Sequence, residues 1–203
     1  MTKHYFSYLA LGDSYTIGES VALHESYPYQ TIELLRKAGL HFHAPEIVAK
    51  TGWTSSELAE NILHRKLNEQ YDFVTLLVGV NNQYRQLPAD DFKNDFLFLL
   101  KKAIHFSGEK NKRVIVLSIP DWGVTPFAIK KDGKKITEEI DQFNQICESL
   151  AKENKVHFIN ITESSRKAKK DSTLLANDHL HYAGKEYAVW AEKLAAVIKQ
   201  EIS

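Results

Sequence analysis

Along the chain, short apolar runs rich in β-branched and aromatic residues alternate with longer stretches whose apolar positions recur every three or four residues. The runs Tyr5 to Leu11, Phe42 to Ala49, Phe73 to Val78, Val114 to Ile119 and Val156 to Ile161 predict five strands. The third and fourth are almost continuously apolar, as expected of strands covered on both faces of a parallel sheet. Between them, helical period predicts helices near Ser26 to Ala38, Ser55 to Leu67, Asp90 to Phe106, Ile136 to Glu153 and Ala183 to Glu201. In the fourth, Ile136, Ile140, Phe143, Cys147 and Leu150 step by four and three and so form one stripe. In the last, Tyr187, Ala191, Leu194, Ile198 and Ile202 do the same. Thr54-Ser55-Ser56-Glu57 reads as a capping box, and Gly39 stands where a glycine closes a helix. Strands alternating with helices predict an α/β domain built on a parallel sheet.

Composition changes this picture little. The 203 residues suffice for one domain, 1–203, without disulfides. No repeat or linker divides the chain. Lys plus Arg and Asp plus Glu are equal at 26 each, so no global field draws the protein to nucleic acid or to an anionic membrane. No run approaches the ~18 apolar residues of a membrane span. Cys147, the one cysteine, falls in an apolar stripe and reads as a core residue of a reducing compartment. The first ten residues enter a strand-like run with no apolar export segment, which predicts a cytoplasmic chain. Ile129 to Lys135 reads as a charged, solvated turn. Arg166, Lys167, Lys169 and Lys170 read as a solvated basic face, with an acidic substrate as the alternative.

In a parallel α/β sheet, ligands bind outside the carboxyl ends of the strands. The segments that follow the predicted strands are Gly12-Asp13-Ser14, Thr51-Gly52-Trp53, Gly79-Val80-Asn81-Asn82 and, after the fifth, Asp178-His179-Leu180-His181. Ser14 at a strand-to-turn junction is a candidate nucleophile that needs a base. His181 is the candidate base, with Asp178 holding its tautomer. His179 is the rival, disfavoured because adjacent side chains do not readily face each other. An acyl-transfer intermediate needs oxyanion donors, and three are on offer: the Ser14 N–H, the Gly52 N–H and the Asn81 side-chain amide.

These residues resemble the SGNH, or GDSL-type, hydrolase superfamily, whose name lists the Ser, Gly, Asn and His of its sequence blocks. Gly12-Asp13-Ser14, Gly52, Gly79-Val80-Asn81-Asn82 and Asp178-His179-Leu180-His181 follow in the family's order. The resemblance implies a flavodoxin-like α/β/α fold of three layers with a five-stranded parallel sheet. It also implies ester hydrolysis through an acyl-enzyme on Ser14, with no metal or organic cofactor. Tyr15 stands where the family name has leucine. Asn82 replaces the aspartate that usually ends its block, removing a carboxylate that would support Asn81.

The implied partner is a small-molecule ester, with short acyl or acetyl groups favoured and carbohydrate among the candidate alcohols. Tyr15, Trp53, Asn82, Tyr84 and Trp122 are candidate cleft residues. Two readings compete. A noncatalytic flavodoxin-like binding domain predicts that Ser14, Asn81 and His181 do not converge. A metal-dependent hydrolase would use Asp178, His179 and His181 as ligands, although H-E-x-x-H is absent. Nucleotide-binding glycine patterns and the G-x-S-x-G elbow are absent too.

Overall fold

A computed structural model describes residues 4–203. Its centre is a five-stranded sheet in the order β2-β1-β3-β4-β5, made of β1 (Tyr8–Gly12), β2 (Glu46–Ala49), β3 (Phe73–Leu77), β4 (Val114–Leu117) and β5 (His157–Ile159). All neighbours pair in parallel, with Leu9 opposite Val74 and Ile115 opposite His157. Helices flank the sheet as expected: α2 (Tyr27–Lys37), α3 (Ser55–His64), α5 (Ala89–Phe106), α6 (Gly133–Glu153) and α8 (Gly184–Ile202). Three shorter helices, α1 (Ser14–Ile17), α4 (Val80–Tyr84) and α7 (Thr162–Ser165), lie below the length at which periodicity registers. Helix α2 packs on α8, while α5 lies between α3 and α6.

Every residue of β1, β3 and β4 is buried. The edge strands β2 and β5 are only partly so. Two polar side chains inside the sheet satisfy each other, the Tyr8 hydroxyl and Thr75 Oγ1 lying 2.8 Å apart. The predicted stripe of α6 is buried throughout, and Cys147 at its centre is fully enclosed. Burial pushes that thiol far above its ordinary range. The stripe of α8 is buried through Ile198, and its last member, Ile202, is half-buried.

Element ends differ from the sequence reading for local reasons. Phe6 and Phe42 pair only as an isolated bridge. Ladder pairing resumes past Pro45, which has no N–H to contribute, so β1 and β2 are shorter than their apolar runs. The predicted Thr54–Glu57 box closes the start of α3: Glu57 Oε2 accepts from the Thr54 N–H at 2.8 Å, and Thr54 Oγ1 accepts from the Glu57 N–H at 3.4 Å. At the other end Arg65 turns extended, which ends α3 before Leu67. Gly133 to Lys135, read as part of a loop, form the first turn of α6, because the Asp132 carboxylate accepts from the Lys135 N–H at 3.0 Å. The rest of that segment is solvated as expected, Ile129 being 83% exposed.

Arg166 corrects the expectation of a free basic face. It donates from Nε to Asp121 Oδ2 at 2.9 Å and from Nη2 to Asp141 Oδ1 at 2.7 Å. The Asp121 side chain is fully buried, so this pair anchors the loop after β4.

Gly12, the last residue of β1, has no room for a side chain. A Cβ there would lie 2.0 Å from Thr16 Oγ1 and 2.4 Å from the Leu77 carbonyl oxygen. Leu77 is sheet backbone and cannot step aside. Gly12→Ala is therefore expected to lower unfolding stability by about 1–3 kcal/mol or more through overpacking, measured by urea titration.

Candidate active site

The chain segments leaving β1, β2 and β3 meet the turn before α8 at one edge of the sheet, around a cleft of about 210 Å³. Ser14, Tyr15, Gly52, Asn81, Trp122 and His181 are among its walls. Ser14 opens α1, so its N–H is one of those that the first turn of a helix leaves without an intrahelical partner. Asp13 caps that helix by accepting from the Tyr15 N–H at 3.1 Å. The Asp13 carboxyl is completely buried, and burial pushes its pKa up to about 7, opposed by the backbone N–H groups of Tyr15 and Gly79.

Asp178 and His181 sit in a small hairpin. Leu175 and Tyr182 form its antiparallel bridge, and the Ala176 N–H donates to the His181 carbonyl at 2.8 Å. Asp178 Oδ1 accepts from the backbone N–H groups of Leu180 at 3.0 Å and His181 at 2.9 Å. That turn folds the carboxylate back so that Oδ2 meets His181 Nδ1 at 2.6 Å. A second donor, the Ser20 hydroxyl, reaches Oδ2 at 2.7 Å. Partial burial would raise the Asp178 pKa, but the hydrogen bonds from His181, Ser20 and the backbone outweigh it and hold the carboxyl well below the usual range. An ionised acceptor requires the proton on Nδ1, which leaves Nε2 of His181 free to serve the cleft.

His179, the rival base, has φ +58 and is exposed on the outside of the turn. It does not join Asp178 and His181 in a ligand set. Among the described residues, no group of three or more His, Cys, Asp or Glu is placed to hold a metal ion.

Gly52 occupies a turn closed by the Trp53 N–H on the Lys50 carbonyl, with φ +83, where a side chain is strained. The loop is held from both sides. Thr51 donates to Glu19, while Arg85 Nη2 donates to the Gly52 carbonyl at 2.5 Å and pairs through Nη1 with Glu57 at 3.3 Å. Asn81 spends one amide N–H on the Trp53 carbonyl at 2.9 Å. Its amide nitrogen carries a second N–H.

The other candidate cleft residues divide. Tyr15 lines the cleft, its ring set edge-on 5.5 Å from that of His181. Trp122 lines it too, fixed by its Nε1–H donating to Gln83 Oε1 at 2.7 Å. Tyr84 packs edge-on against Trp122 and is 47% exposed. Trp53 lies outside the cleft walls and contributes its carbonyl to Asn81. Asn82 is buried and turned away: its Oδ1 accepts from the Ser55 N–H at 2.9 Å and its Nδ2 donates to Ser55 Oγ at 2.7 Å. It therefore secures the start of α3 and does not face substrate. Phe127 and Leu180 complete the apolar wall. They were not singled out because apolar loop residues carry no periodic signal. Ser20 was missed because nothing local links it to a residue 158 positions away.

The model of the GDSL-like lipase/acylhydrolase family matches residues 10–189. The chain belongs to this family. This GDSL-type protein is a serine ester hydrolase, and the convergence of Ser14, Asn81 and His181 on one cleft removes the ground for a binding-only domain. No curated protein matches its sequence significantly. Among solved structures it is similar to Axe2, an acetylxylan esterase from Geobacillus stearothermophilus, with TM-score 0.75 and 16% identity over 97% of this chain and 95% of that one. The acetyl xylan esterase AlAXEase gives TM-score 0.74 and 18% identity over 95% and 99% of the two chains. A member of the lipolytic protein G-D-S-L family from Veillonella parvula gives TM-score 0.71 and 16% identity over 95% and 98%. At these identities the likeness is one of fold.

The buried Asp13 carboxyl generates a pH prediction. A carboxyl whose folded pKa is raised above its unfolded value favours folding least when ionised. Stability therefore falls as pH rises from about 4 to about 7 and then levels off. Asp13→Asn cannot ionise, so its Tm should be flatter than wild type across that window, as measured by thermal melts at a series of pH values.

Proposed function

We propose that Ser14, His181 and Asp178 act as a catalytic triad that hydrolyses short-chain carboxylic esters, acetyl esters foremost, with acetylated carbohydrate as the favoured substrate class. The observation that carries the reading is the 2.6 Å contact between Asp178 Oδ2 and His181 Nδ1, made on the rim of a cleft that Ser14 also lines.

As Ser14 Oγ attacks the ester carbon, His181 Nε2 takes its proton, and Asp178 stabilises the imidazolium without itself being protonated. The carbonyl oxygen becomes an oxyanion bound by the N–H groups of Ser14 and Gly52 and by the remaining amide N–H of Asn81. Collapse breaks the bond to the alcohol, which leaves with the proton from His181. Water, deprotonated by His181, then attacks the acyl-enzyme. The second collapse releases the acid and returns the proton to Ser14.

One feature supports a small acyl group and a second supports a carbohydrate alcohol. The cleft volume of about 210 Å³ lies below the ~300–1,000 Å³ of drug-sized sites. The aromatic rings of Tyr84 and Phe127, 47% and 44% exposed, stand at its mouth, where flat apolar faces suit the faces of a sugar ring. Two of the similar structures are described as acetylxylan esterases, which agrees with this reading.

p-Nitrophenyl acetate is expected to be cleaved faster than long-chain esters. Ser14→Ala and His181→Ala should each fall by at least about 10³-fold in kcat, and Asn81→Ala by about 10²–10³-fold. Chelator should change nothing. Wild-type rates in Ser14→Ala would sink the proposal, while a preference for long chains would sink the substrate assignment alone.

A further inference from the structure

Two consecutive residues just beyond the nucleophile's helix reach to different parts of the site. Glu19 accepts from the Thr51 hydroxyl beside Gly52, and Ser20 donates to Asp178 Oδ2 at 2.7 Å. The chain closes a turn here, with the Glu19 N–H on the Ser14 carbonyl at 3.0 Å and the Val21 N–H on the Gly18 carbonyl at 3.2 Å. Ser20 is the second central residue of that turn and holds φ +66. Glycine is the residue favoured at such a position. A side chain kept there at a conformational cost invites the question of what the side chain does.

We propose that Ser20 is a positioning residue of the active site, whose hydroxyl holds the Asp178 carboxylate against His181 Nδ1 and ties the turn carrying the base to the segment carrying the nucleophile. The inference rests on the triad assigned above. Oδ2 of Asp178 is the atom that both His181 and Ser20 address, while Oδ1 is occupied by the backbone N–H groups of Leu180 and His181. The backbone contacts fix where the carboxyl group sits. The hydroxyl fixes the rotation that points Oδ2 at the imidazole. It also shares the negative charge, so that removing it leaves a more basic carboxylate facing His181 and a more easily protonated imidazole.

The other groups facing this pair are Tyr15 from α1, its ring 5.5 Å from the imidazole, and Tyr187 from α8, held neutral first by burial and then by the charges of Asp13 and Asp178, among others. Glu25 lies against Gly184 at the start of α8, His179 lies between Asp178 and His181 in sequence, and Glu19 precedes Ser20. All of these are unchanged in a Ser20 variant.

The decisive variant is Ser20→Gly, which suits the turn and removes the whole hydroxymethyl group, with Ser20→Ala as the variant that removes the hydroxyl alone. Ester hydrolysis against pH would be measured for wild type, Ser20→Gly and Ser20→Ala, with Ser14→Ala and His181→Ala alongside and a melting curve for each. The expected result is a Ser20→Gly protein whose Tm is not lowered but whose kcat/KM falls about two- to tenfold, the net worth of one hydrogen bond. Its acid limb should move to higher pH, and Ser20→Ala should show the same move. A wild-type rate and acid limb in Ser20→Gly would overturn the inference. So would a loss of rate with an unmoved acid limb, which marks a merely structural turn residue. If Ser14→Ala or His181→Ala keeps full activity, the triad itself is wrong, a failure distinct from that of Ser20.

Discussion

A parallel sheet buried on both faces leaves polar chemistry almost nowhere to go but its ends. In β1, β3 and β4 every residue is enclosed, and an unpartnered polar group there would carry its full desolvation cost. The sheet interior therefore holds side chains such as Tyr8 and Thr75 only as a mutually bonded pair. The carboxyl ends lie under no such restriction, because there the chain leaves the ladder and its N–H groups become available. The cleft forms where those ends gather, and the order β2-β1-β3 places the segments after Gly12, Ala49 and Leu77 side by side.

The same constraint explains why so many hydrogen bonds near the cleft serve position before chemistry. A loop crossing the sheet edge has no ladder to hold it, so side chains replace the ladder. Arg85 and Glu19 brace the Thr51–Gly52 turn, and Arg166 with Asp121 braces the loop that carries Trp122. The hairpin of Asp178 and His181 is braced by its own backbone N–H groups. Donors and acceptors fixed in this way need little reorganisation when charge develops in the cleft, which is what electrostatic stabilisation of an oxyanion requires.

The layout was largely legible in the sequence because it rests on periodicity. The stripe of α6 and the apolar runs of β3 and β4 could belong to little else than a covered parallel sheet. Ser14, Gly52, Asn81, Asp178 and His181 stand out in the sequence as candidates because each lies beyond a predicted strand and in a block resembling the family's, and the family match spans residues 10–189. Contacts between distant segments were not legible. Arg166 read as solvent-facing because its partners Asp121 and Asp141 are remote in sequence. The turn of Ser20 lacks the glycine that would have announced a positive φ. Trp53 and Asn82 carry the residue types of a binding cleft, but backbone direction turns one outside its walls and buries the other.

Asn82 shows how such a departure is absorbed. Its Nδ2 donates to Ser55 Oγ at 2.7 Å, which frees the single Ser55 hydroxyl proton for Asp95 Oδ2 at 2.8 Å. A carboxylate at position 82 has no proton to give, so it and Asp95 would compete for that one hydrogen, and one of them would lose its partner. The amide at 82 and the carboxylate at 95 form one consistent chain of donors, in which the negative charge stands one residue further from the cleft. Asn81 does not depend on that charge directly, because its own anchor is the Trp53 carbonyl. What position 82 must supply is an acceptor for the Ser55 N–H at the start of α3. Aspartate and asparagine both provide that acceptor, and the choice between them follows from what stands on the far side of Ser55.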